Sequence, residues 1–187
     1  NGTIQLGAPT SALITFSDTY TITATGESAD AGAIIGHMDE GTAFINYADL
    51  TLDNNKVTSA SGNAGGLIGY MAKGADLKIG NNIAINNPTV EGHENAGGLA
   101  GFAEDIELIK ETESSLELTV SSPEVKLKKT SRATANGAGG VFGYYRNTAE
   151  GEVHFPDWVK IASSENEEIN LLSYGATYDE SVGSLGG

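Results

Sequence analysis

The sequence predicts an all-β chain wound as a parallel β-helix, or β-solenoid. Three observations carry that prediction: a glycine cassette that recurs at near-constant spacing, apolar residues that alternate between the cassettes, and a scarcity of helix signals. The cassette Ala64-Gly65-Gly66-Leu67-Ile68-Gly69-Tyr70 returns as Ala96-Gly97-Gly98-Leu99-Ala100-Gly101-Phe102 and as Ala138-Gly139-Gly140-Val141-Phe142-Gly143-Tyr144. A looser copy runs Ala31-Gly32-Ala33-Ile34-Ile35-Gly36-His37, and the spacings along the chain are 33, 32 and 42 residues. A fixed period of this size marks a repeat architecture. Strands of four to six residues cannot bury a face alone, so each repeat has to stack on its neighbours and share one core. With one repeat per rung, equivalent residues form ladders about 4.8 Å apart. Right-handed winding is the strong default for parallel connections. A β-sandwich also satisfies the turn spacing of roughly 8 to 12 residues, but it gives no reason for the period.

Taken in order, the elements follow from that frame. Residues 1–30 read as preceding strands, with apolar residues at every second position from Leu13 to Phe16 and from Tyr20 to Thr23. Repeats are then expected near 31–63, 64–95, 96–137 and 138–187. Each has a glycine-rich apolar strand, a polar turn, an alternating strand, a tight turn and a short strand carrying Val. Leu50 and Leu52 match Ile83 and Ile85 at an offset of 33, and Leu116 and Leu118 repeat that offset. Val57 and Val90 keep it. The turns Asp53-Asn54-Asn55 and Asn86-Asn87-Pro88 coincide, and Ser121-Ser122-Pro123 falls two residues late. The cassette glycines suit corners where positive φ or close backbone approach penalises a Cβ. Residues 104–113 are the best helix candidate, with Ile106, Ile109 and Lys110 at helical spacing, although the other repeats have strands there. The third repeat is the long one, and Val125 to Arg132 holds 4 of the chain's 10 basic residues. Insertions in repeats map to loops that often carry binding, so Lys126, Lys128, Lys129 and Arg132 are expected on a protruding basic hairpin, the best candidate for partner contact on an acidic body.

The 187 residues fit one domain. The series Val182-Gly183-Ser184-Leu185-Gly186-Gly187 reads as a further cassette cut short, so the chain is expected to be part of a longer polypeptide. A formal net charge of −15 would repel a polyanion, which argues against nucleic acid and anionic membrane surfaces as partners. No run approaches the roughly 18 apolar residues of a membrane span, and the opening residues show neither a basic nor an apolar leader segment. With no cysteine there is no disulfide, thiolate nucleophile or Cys-ligated zinc.

The Gly-Leu-x-Gly core, strict in Gly66-Leu67-Ile68-Gly69 and Gly98-Leu99-Ala100-Gly101, resembles the GLUG repeats of large bacterial surface and secreted proteins, including some immunoglobulin A protease-like metalloproteases. Gly140-Val141-Phe142-Gly143 and Ala33-Ile34-Ile35-Gly36 depart from it at one or two positions. The likeness covers roughly residues 31–145. It implies an extracellular location, on the bacterial surface or secreted, within a longer polypeptide, and it carries over no catalytic residue.

Chemical motifs are sparse. No Gly-x-Gly-x-x-Gly opens a helix and no Gly-x-x-x-x-Gly-Lys-Ser/Thr occurs, so the glycines read as one structural element repeated. His37, His93 and His154 lack the i, i+4 spacing of a zinc helix. Asp39, Glu40, Glu104 and Asp105 follow cassettes, and a β-helix can bring acids of adjacent rungs together for carbohydrate hydrolysis. With 25 acids, coincidence explains them more simply. Clusters such as Asp53-Asn54-Asn55 offer oxygen to calcium but fit turns better, and no other cofactor is implied. His37, Tyr70, Phe102 and Tyr144 each end a cassette and would stack in a column. The column is either core or, facing outward, a platform on which Tyr70 and Tyr144 meet flat sugar faces.

These readings favour a noncatalytic segment of a bacterial surface or secreted protein, serving as a stalk or adhesive surface. Its expected partners are neighbouring domains of the same polypeptide and a host protein or glycan. The alternatives are an accessory region of a large secreted protease and a carbohydrate-binding or carbohydrate-active β-helix.

Overall fold

In a computed structural model, the described residues are 2–7, 12–110, 115–128, 136–148, 155–162, 170–174 and 180–183. They form strands and turns with no helix. The first turn of the chain contributes β1 (Thr3–Leu6), β2 (Ala12–Phe16), β3 (Thr21–Ala24), β4 (Ala31–Gly32) and β5 (Ile35–Met38). The second contributes β6 (Ala43–Asn46), β7 (Ala48–Asp53), β8 (Lys56–Ser59), β9 (Ala64–Gly65) and β10 (Ile68–Met71). The third supplies β11 (Asp76–Ile79), β12 (Ile83–Asn86), β13 (Thr89–Gly92), β14 (Ala96–Gly97) and β15 (Ala100–Glu104). Then come β16 (Glu107–Lys110), β17 (Leu118–Ser121), β18 (Glu124–Lys128), β19 (Asn136–Gly139) and β20 (Phe142–Arg146), followed by β21 (Val159–Ala162), β22 (Asn170–Tyr174) and β23 (Glu180–Gly183).

Each strand pairs in parallel with its equivalent in the next turn, giving five sheets in the orders β1-β6-β11-β16, β2-β7-β12-β17-β21, β3-β8-β13-β18-β22, β4-β9-β14-β19-β23 and β5-β10-β15-β20. The chain is therefore a parallel β-solenoid, and the residues before 31 complete its first turn. Leu67 and Leu99 sit on successive layers: the Leu67 and Ile68 amides both donate to the Leu99 carbonyl, at 2.9 and 3.0 Å. Gly183 pairs with Gly139, so 182–183 repeat the cassette register.

Apolar alternation sets what each sheet buries. Leu50, Ile83, Leu118 and Val159 form one inward column, and Leu52, Ile85, Val120 and Ile161 the next. Burying each such side chain contributes roughly 1.5–3 kcal/mol. With Phe44, Leu77, Ile68 and Met71 they make the main core. A smaller core joins Val57, Val90, Val125 and Leu127 to the cassette alanines Ala31, Ala64, Ala96 and Ala138. The cassette runs between the two cores, and from the second turn on the backbones approach too closely there for a Cβ. A Cβ on Gly66 would lie 2.0 Å from the Gly98 carbonyl oxygen, and one on Gly101 2.7 Å from the Ala64 backbone. Close approach is the whole reason, because no cassette glycine has positive φ. Left-handed backbone appears instead at the tight turns, at the equivalent residues Asn54, Asn87 and Ser122, where short polar side chains tolerate it.

Three expectations are corrected. Residues 104–110 are not helical: β15 ends at Glu104, and Glu107–Lys110 form β16, paired in parallel with β11. Backbone pairing with the turn below outweighs the helical spacing of Ile106 and Ile109. Leu118, not Leu116, stacks on Ile83, so the offset there is the 35 residues that Ser121-Ser122-Pro123 already obeyed. The basic segment is not one protruding hairpin. Glu124–Lys128 is a rung strand between β13 and β22, because Val125 and Leu127 are needed in the smaller core. The register offset rises from 31 to 35 between β16 and β17 and from 35 to 42 between β18 and β19, so the extra length is divided between those two connections, and the larger share, 129–135, lies outside the described residues.

Candidate functional site

The four rings that end the cassettes do stack. Ring centroids are 4.5 Å apart for His37 and Tyr70, 4.8 Å for Tyr70 and Phe102, and 5.7 Å for Phe102 and Tyr144, with planes inclined by 9°, 5° and 18°. The column lies on the outside of the β5-β10-β15-β20 sheet: His37 is exposed and the other three are half-buried, so it is not core. Each inner ring covers its neighbour's faces, leaving edges toward solvent. A sugar needs an open ring face, so Tyr70 cannot serve as the flat platform the sequence suggested. Burial and the nearby Glu104, Asp30 and Glu94 carboxylates raise the Tyr70 phenol above its ordinary range, against the opposing Arg146 guanidinium.

Beside the column runs a polar ladder that the sequence reading missed. Asp30, Asn63 and Asn95 each directly precede a cassette. The Asn63 amide and side-chain Nδ2 donate to Asp30 Oδ1 at 2.9 and 2.8 Å. Asn95 Nδ2 donates to Asn63 Oδ1 at 2.7 Å, and the Gly137 amide donates to Asn95 Oδ1 at 2.9 Å. The signal was available: Asx recurs at cassette position minus one in three copies. His37 Nδ1 closes the bottom of this ladder, 2.7 Å from Asp30 Oδ2; its Nε2 lies 3.6 Å from Asp39.

The acids singled out in the sequence go to separate places. Asp39 is 90% exposed. Glu104 is buried and paired at 2.8 Å with Arg146, its register partner one turn up. Asp105 accepts from the Thr148 amide at 2.7 Å and from the Thr148 hydroxyl, with Lys73 at 3.3 Å. Those hydrogen bonds hold the Asp105 carboxyl below its ordinary range. The register Met38, Met71, Ala103 puts Asp39 and Glu104 at equivalent positions two turns apart, roughly 10 Å, with Ala72 between them. Adjacent-rung acids are thus not brought together.

Lys126 lies on β18 and pairs with Glu124. The side chain of Lys128 and all of Lys129, Arg132 and His154 fall outside what is described. Asp53 Oδ1 accepts from Asn86 Nδ2 at 2.8 Å, a ladder between equivalent turns. Among the described residues, no group of three or more His, Cys, Asp or Glu is arranged to hold a metal ion.

No protein-family model, curated protein or solved structure matches the chain. The functional reading therefore rests on the residues themselves and on the glycine-cassette resemblance.

Proposed function

We propose that the chain is a noncatalytic repeat segment of a bacterial cell-surface or secreted protein, serving as a stalk or adhesive surface. One observation carries the reading: polar side chains that could do chemistry are instead bonded to neighbouring turns. Asp30 is held by Asn63, Glu104 by Arg146, and Asp105 by Thr148 and Lys73. Such side-chain ladders add to the backbone ladders and stiffen a rod along its axis. The net charge of −15 keeps such a rod soluble and self-repelling.

The resemblance favours an extracellular setting within a longer polypeptide, and with it a second reading as the accessory region of a secreted protease. A His-Glu-x-x-His elsewhere in the full-length gene would select that reading. The test of the first is display on a non-adherent bacterium. Gain of binding to host cells or glycans identifies an adhesive surface. Length-dependent rescue of a fused binder, without binding by the segment itself, identifies a stalk. Turnover of an acidic polysaccharide, lost in Asp105→Asn, would replace both with a carbohydrate-active β-helix.

A further inference from the structure

The ring column has a geometry that the stalk reading does not use. His37, Tyr70, Phe102 and Tyr144 occupy four successive turns with nearly parallel planes, so their outward edges form one continuous ridge along the solenoid axis. A flat ligand laid across these ring edges removes apolar area from water along its whole length. A small ligand touches one or two of these edges, whereas a long flat one lying along the axis touches all four. Charge then selects among long flat ligands. Asp30 and Glu104 are already bonded to Asn63 and His37 and to Arg146, which leaves the exposed Asp39 beside His37 and Glu94, whose charge reaches the Tyr70 phenol. The whole chain is strongly acidic.

We propose that the flank of this ridge is a binding site for an elongated, flat aromatic cation aligned with the solenoid axis. The inference goes beyond the stalk reading and does not depend on it. Sugars are disfavoured because the inner ring faces are covered, and anions because of the carboxylates.

Thioflavin T, a rod-shaped aromatic cation, is the probe, titrated against the full chain under conditions where it is monomeric. The expected result is a saturable fluorescence rise that weakens as salt is raised, since the carboxylate attraction is screened. Phe102→Thr interrupts the ridge at its centre with a strand-compatible side chain and should lower affinity about tenfold. Absence of a saturable rise overturns the proposal. So does unchanged binding in Phe102→Thr with native circular dichroism, or equal binding of the anionic rod Congo red. Should Phe102→Thr not fold, the surface pair Asp39→Asn and Glu94→Gln decides the matter: weakened binding supports the site, and unchanged binding overturns it.

Discussion

At the scale of single residues, the solenoid depends on side chains that have room for nothing else. Asn63 donates from its backbone amide and Nδ2 to Asp30, and its Oδ1 accepts from Asn95 Nδ2. Asn63→Ala would leave Asn95 Nδ2 without this partner, while Asp30 keeps the residue-63 backbone amide and His37, and should cost about 1–3 kcal/mol by urea denaturation. A loss below about 0.5 kcal/mol would mean that the ladder contributes nothing net. Gly66 faces a harder limit, since its Cβ would sit 2.0 Å from a backbone oxygen that cannot swing aside. Gly66→Ala should destabilise by about 3 kcal/mol or more. Gly74→Ala is the control: space there is open but φ is +70°, so only about 1–2 kcal/mol of left-handed strain applies. Equal melting temperatures for the two variants would contradict the close-approach account.

At the scale of elements, cross-turn staples and insertions behave differently. Asp105, at the turn after β15, is joined to Thr148 and Lys73, and its carboxyl is held below the ordinary aspartate value of 3.8. The ionised form is the one the fold favours. This stabilisation is therefore complete above the ordinary value and disappears as pH falls through the lowered one. Thermal melts of the parent and Asp105→Asn should differ at neutral pH and converge in acid; a constant gap would assign the effect to packing. The third repeat separates likewise into two parts. Deleting 129–135 should leave a cooperative fold, because β18 and β19 already stand in register with β13 and β14. Deleting 124–128 removes Val125 and Leu127 from the smaller core and should abolish cooperative melting. Both outcomes can be read by circular dichroism.

For the whole molecule, stacked turns make stability nearly one-dimensional, each turn holding its neighbours. The middle turns are buried on both sides, as the fully buried Ile68, Ile83 and Ile85 record. The first turn has a neighbour on one side only among the described residues, and there Ile4 and Phe16, inward in register, remain 40% and 42% exposed. Native-state hydrogen exchange should show the slowest amides in β10 and β12 and faster exchange in β1 and β3, graded along the axis. Uniform protection from end to end would indicate a single cooperative unit instead.

By itself the sequence determined the period, the parallel stacking and the ring column. These are legible because a repeated fold writes the same local demand into each turn: glycine where backbones meet, Asn or Ser where φ is positive, apolar residues at alternate positions. Only tertiary structure decided the register of Leu118, the strand at Glu107–Lys110 and the inclusion of Lys126 in a rung. At those points local spacing offered two answers, and pairing with the turn below chose between them. It also decided that the rings face outward with covered faces, and that Asp30, Asn63 and Asn95 form a ladder. The recurrence of Asx before three cassettes marks the ladder's positions, but which way a side chain points, and whose amide it meets 32 or 33 residues away, depends on where the neighbouring turn lies.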